Sequence, residues 1–198
     1  MNITRGRAAL AFVTFVAGVS IPLTALAYPP GRALSVSVVP DMVKPSSDVT
    51  LKVNNAIPNK SFKYGFDSDL SKSATSTSVG SKSVATKAPS SAGRYTVKVT
   101  QLNTVTRRSE TDTTTLFVPK VTIPSSGKKN KNVTISVSYA KPGAIVSVVV
   151  GSESPQYRTV SNSFTATVTV SSSTATTKSV VVTVGSLSYT GSIRFSNS

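Results

Sequence analysis

The stretch Asn132-Val-Thr-Ile-Ser-Val-Ser-Tyr-Ala-Lys-Pro-Gly-Ala144 decides the fold. Val133, Ile135, Val137 and Tyr139 alternate with Thr134, Ser136 and Ser138, the period-two pattern of a strand with one face in a core and the other in water. Lys141-Pro-Gly143 then turns the chain, and Val146, Val148 and Val150 resume the alternation. Composition carries this vocabulary through the whole chain. Of 198 residues, 34 are Ser, 26 Thr and 29 Val, which favours strands over long helical bundles or coiled coils.

Sliding the chain along itself brings the same unit back at an offset of 84 residues. Val39-Pro40 falls on Ile123-Pro124, and Asp48-Val-Thr-Leu-Lys-Val53 on Asn132-Val-Thr-Ile-Ser-Val137. Ala56 falls on Ala140, Pro58 on Pro142 and Ser68 on Ser152. Because the matches include Pro positions as well as apolar alternation, one domain written twice is the better reading. The first copy has inward sets Val49/Leu51/Val53, Phe62/Tyr64/Phe66 and Tyr95/Val97/Val99. The second has Val133/Ile135/Val137/Tyr139, Val146/Val148/Val150 and Val180/Val182/Val184, with Phe164/Ala166/Val168/Val170 and Ile193/Phe195 as further strands. About seven short strands in each copy predict an all-β fold of two tandem two-sheet sandwiches with Greek-key connections. The expected divisions are 1–27, 28–119 and 120–198, the last boundary at Pro119.

The B-strand, Pro-Gly turn and C-strand pattern of Asn132 to Ala144 resembles bacterial immunoglobulin-like domains of secreted and cell-surface proteins. The resemblance covers roughly residues 33 to 198, without the Cys and Trp core of antibody-type domains. It implies tandem immunoglobulin-like β-sandwiches used for spacing, adhesion, or carbohydrate or protein binding, with no catalytic residues to carry over.

Residues 1–27 read as a signal peptide: Arg5 and Arg7 precede a mostly apolar run, and Ala25-Leu-Ala27 is the expected cleavage site. The run is too short for a membrane span. The mature chain is expected to be secreted, extracellular or cell-wall associated, with no span of its own. Without Arg5 and Arg7 its side-chain charge is 20 − 7 = +13.

The absence of His, Cys and Trp excludes His-assisted triads, thiol nucleophiles and His/Cys zinc sites. No cofactor, metal or catalytic residue is assigned. Asp67 and Asp69 have the look of a calcium loop but supply too few ligands, and a solvated turn is expected there. Ser125-Ser-Gly-Lys128 matches the Ser-x-x-Lys spacing of serine–lysine hydrolases, but outside any helix. The competing class is a secreted hydrolase or effector with a His-free site.

Charge is more informative. Residues 28–119 carry 12 Lys and Arg against 6 acids, and residues 120–198 carry 8 against 1. The concentrations are Arg107-Arg108 and Lys128-Lys129-Asn-Lys131, expected in loops at opposite poles. They are the candidate contacts for an acidic cell-wall polymer or polysaccharide. Nucleic acid is disfavoured, because the aromatics fall mostly on inward sets and leave little stacking surface. A second candidate surface comes from comparing outward positions. Ser61, Lys63 and Gly65 of the first copy face Ile145, Ser147 and Val149 in the 84-residue register. Ile145, Val149 and Val181, rimmed by Thr190 and Arg194, are therefore expected to form a face for a protein or glycan partner or for self-association.

Overall fold

The computed structural model describes residues 32–104 and 106–197, so the expected signal peptide lies outside the described residues. The chain folds as two β-sandwiches in sequence order. The first comprises β1 (Ser35–Val39), β2 (Asp48–Asn54), β3 (Ser61–Phe66), β4 (Asp69–Thr75), β5 (Lys82–Lys87), β6 (Gly93–Asn103) and β7 (Arg108–Val118). The second comprises β8 (Lys120–Thr122), β9 (Ser126–Lys128), β10 (Val133–Ser138), β11 (Ile145–Val150), β12 (Gln156–Thr159), β13 (Thr165–Val170), β14 (Thr177–Val184) and β15 (Leu187–Ser196).

Sheet β1-β2-β5 faces sheet β4-β3-β6-β7, and sheet β8-β10-β13 faces sheet β12-β11-β14-β15-β9. Each pair of sheets closes on its own apolar core. Leu51, Phe62, Val97 and Leu116 anchor the first, and Ile135, Val146, Val182 and Ile193 the second. Alternation explains this packing: along β10 the buried Val133, Ile135 and Val137 are separated by Thr134 and Ser136. Both sandwiches belong to one compact unit.

The 84-residue repeat is also a repeat of backbone geometry. Left-handed φ values recur in pairs at Ser46 and Asn130, Asn55 and Tyr139, Asn59 and Gly143, Asp67 and Gly151, and Gly80 and Phe164. The amide of Ala56 donates to the Gly80 carbonyl at 2.9 Å, and that of Ala140 to the Phe164 carbonyl at 3.2 Å. The parallel bridge between Met42 and Phe117 has its counterpart in the parallel pairing of Ser126 with Arg194.

Three residues depart from the alternation expected of them. Tyr139 is exposed, because its φ of 59° takes the chain out of the strand after Ser138. Phe164, with φ 63°, precedes β13 and turns its ring toward the first sandwich instead of the second core. Gly65 is buried, not solvated. The β3/β4 register shifts there, and the missing Cβ leaves room for the Asp69 carbonyl.

Candidate functional site

The joint between the sandwiches is built from side chains of both. Phe164 packs against Phe117 with ring centroids 6.0 Å apart, and the Arg94 guanidinium lies 4.5 Å from the Phe164 centroid. Lys141 bonds Asp41 at 2.6 Å, and the Lys44 ammonium lies 5.2 Å from the Tyr189 ring. The Tyr189 hydroxyl donates to the Pro119 carbonyl at 3.4 Å. Burial there pushes the Tyr189 phenol up from its ordinary range.

Lys128 ends β9, and Lys129 and Lys131 sit on the turn that leads from it into β10. That turn is held tightly: the Lys129 amide donates to the Ser196 carbonyl, and the Asn130 amide to the Ser172 carbonyl, both at 2.8 Å. Arg194 joins this group and not the apolar face assigned to it. It pairs with Ser126 on β9 and with Thr177 on β14, and Thr177 lies four residues, roughly 13 Å, along the strand from Val181.

The one acid of the second sandwich, Glu153, is already engaged by Lys178 at 2.5 Å. Lys141 is engaged across the joint by Asp41. Among the described residues, Lys120, Lys128, Lys129, Lys131, Arg158 and Arg194 therefore have no carboxylate partner. Arg107 and Arg108 form the tip of the β6–β7 hairpin, beside Asn103 and Glu110. Each group lies at the end of its own sandwich away from Pro119. The reason is directional: β7 runs from Arg108 to Val118, and β10 returns from the lysine turn to pair Ser138 with Lys120. The two groups do not form one site.

Of the partner-face residues, Val149 and Val181 are direct neighbours, whereas Ile145 lies on the same face four residues, roughly 13 Å, along β11 from Val149. Val149 pairs with Val181, and Val181 with Thr190, in one row without a register shift. Ile145 is 59% exposed and Val181 37%. Sequence reading missed Tyr157, which is 64% exposed on the same face and pairs with Ser147. Its signal was available in the repeat, where Tyr157 falls on the outward Ser73. Ile145, Tyr157, Arg158 and Thr159 line a shallow pocket of about 310 Å³.

The acidic pair is absorbed by local structure. Asp67 accepts from the Thr96 amide at 2.8 Å. Hydrogen bonds from Ser71, first side chain and then backbone, hold the Asp69 carboxyl below its ordinary range. The described residues contain no cluster of three or more side chains suited to a metal. Ser125 precedes the extended β9 and Lys128 ends it, so no helix brings them to one face.

The strand order defines the class: two tandem immunoglobulin-like β-sandwiches. No protein-family model matches the chain, and no curated protein matches it. Among solved structures, the D0-D1 domain of intimin is similar over 82% of this chain and 97% of its own, with 13% identity and a TM-score of 0.35. The human OSCAR ligand-binding domain is similar over 82% and 96%, with 15% identity and a TM-score of 0.44. The two fibronectin type III domain segment of chicken tenascin is similar over 82% and 98%, with 15% identity and a TM-score of 0.33. Among the described residues, no helix is long and apolar enough to cross a membrane.

Proposed function

We propose that the chain is an exported, non-catalytic binding module of the cell envelope whose second sandwich associates with anionic polymers. The observation that carries this reading is the uncompensated charge of that sandwich: six cations without a carboxylate partner among the described residues, beside a single acid already engaged by Lys178. Such a field draws polyanions to it with an affinity that falls as salt screens it and as less is gained by counterion release. The lysine turn and Arg194 form its densest part, and the hydroxyl-rich sheet faces impose no competing negative charge. Absence of His and Cys and the engagement of Asp67 and Asp69 in turns support a non-catalytic role. The adjacent Val149 and Val181, with Ile145 further along the same face, extend the contact surface beyond charge.

The test is binding of residues 28–198 to purified teichoic acid and to polyphosphate across a salt series. Affinity should fall linearly on logarithmic axes. Replacing Lys128, Lys129 and Lys131 together by Gln should reduce the slope by about 2, at roughly 0.7 for each phosphate of a flexible strand that is no longer neutralised. Replacing Arg107 and Arg108 should change it less, because Glu110 lies beside them. Salt-independent affinity, or parental binding by the triple variant, would overturn the reading.

A further inference from the structure

We infer that the pocket formed by Ile145, Tyr157, Arg158 and Thr159 is a subsite for one acidic sugar residue, a hexuronate, of a polysaccharide chain. The inference rests on the polyanion reading above and adds a stereospecific contact to it. Its strongest support is the comparison of two equivalent places in one molecule. Ile145 pairs with Thr159 as Ser61 pairs with Thr75, and Ser147 pairs with Tyr157 as Lys63 pairs with Ser73. The backbone is thus the same at both places, 84 residues apart. The first sandwich builds it with Ser61, Ser73, Ala74 and Thr75, whereas the second has Ile145, Tyr157, Arg158 and Thr159. Three of the four side chains are therefore not required by the fold.

Their chemistry points to a sugar acid. Tyr157 and Ile145 are 64% and 59% exposed, side by side on the outward face of an edge strand and the strand next to it. An exposed aromatic ring beside an aliphatic side chain matches the apolar C–H face of a pyranose. Arg158 lies at the free edge of the sheet and lines the same pocket. Its side chain makes no ion pair or hydrogen bond with another described residue, and its planar fork suits a carboxylate. The Thr159 hydroxyl serves the sugar's own hydroxyls. At about 310 Å³ the pocket lies at the low end of small-molecule sites, which suits a single ring. From Tyr157 a row of hydroxyls, Ser147, Thr183 and Ser188, runs across the sheet and offers a track for the rest of the chain.

The test compares three short probes by calorimetric titration of residues 28–198: trigalacturonate, tripolyphosphate and the neutral maltotriose. The variants Tyr157→Ser and Arg158→Ala write the first copy's residues into the second, so both should keep the parental melting temperature. Trigalacturonate should bind, and each variant should weaken it at least fivefold, while Tyr157→Ser leaves tripolyphosphate unchanged. Four results would overturn the subsite: no binding of trigalacturonate, binding unaffected by Tyr157→Ser, equal loss of both anions in that variant, or maltotriose bound as tightly as trigalacturonate. If the subsite fails while salt-dependent binding of teichoic acid persists, the general reading stands without it. If both vanish, both fall.

Discussion

Phe164 is a residue on which two opposing terms can be separated. Its φ of 63° places a bulky side chain in the left-handed region, which costs an L-residue about 1–2 kcal/mol. In return the ring packs against Phe117 and under Arg94, interactions worth about 0.5–1.5 kcal/mol for the ring pair and about 0.5–1 kcal/mol for the cation over the ring. Partial burial of the ring adds about 1 kcal/mol. Phe164→Ala removes the ring and keeps the strain, so it should destabilise the protein by about 2–3.5 kcal/mol, summing those terms. Phe164→Gly removes the ring and the strain together, as Gly80 already avoids it in the first copy. Glycine should therefore be the more stable replacement by about 1 kcal/mol, or about 2–4 °C in melting temperature for a chain of this size. Scanning calorimetry reads both effects. Both variants should also broaden or split the transition, because the ring packs across the joint between the two sandwiches. If alanine were at least as stable as glycine, the left-handed backbone assigned to Phe164 would be wrong. If neither variant differed from the parent, the ring would contribute nothing to the joint.

Two further predictions concern Gln101 in the first core and Tyr189 in the joint. Gln101 is 2% exposed, its side-chain oxygen accepting from the Ile57 amide at 2.7 Å and its amide donating to the Ser61 carbonyl at 3.4 Å. Gln101→Leu should lower stability in urea by about 1–3 kcal/mol by orphaning these backbone groups; a loss below measurement error would show that water replaces it. Tyr189 has a phenol raised by burial, so its contribution is fully present below the unfolded value near 10 and is lost as pH rises through the folded one. Melting temperature between pH 9 and 11 should fall more steeply in the parent than in Tyr189→Phe, and parallel curves would show that Tyr189 ionises without consequence.

Side-chain alternation made the strands legible, because a half-buried strand must alternate. It could not show where a strand stops. Tyr139 and Phe164 stand in phase with their neighbours, yet both lie at left-handed positions where the chain leaves the sheet. The first copy carried the missing signal, since its equivalents Asn55 and Gly80 are residue types that tolerate that conformation. Arg194 shows a different limit. Period two tells which face a residue occupies, but its place along the strand depends on hairpin register, and register put it beside Ser126. Gly65 was hidden by a bulge, which breaks the period locally. Tyr157 was hidden by brevity: β12 has four residues, all exposed, and follows Pro155 without any alternation to read.

What the copies share holds each sandwich together, so their differences indicate what each end must meet. The buried Ala56 and Ala140 and the five paired left-handed positions are common to both. At the end of the first sandwich that meets the second, Met42 and Phe117 form the parallel bridge, with Lys44 close by. The equivalent end of the second sandwich pairs Ser126 with Arg194 and has Lys128 in the place of Lys44. The same backbone platform, with a lysine in both copies, therefore presents Met42 and Phe117 in one and Ser126 and Arg194 in the other. Another apolar sandwich would gain little there and would have to desolvate Lys128 and Arg194 without a counter-charge, which is costly for buried ions. A flexible anionic chain incurs no such cost, because it supplies the counter-charge and leaves the cations wet. Under the proposed function, the basic end would meet a polymer where the equivalent platform of the first copy meets a folded domain.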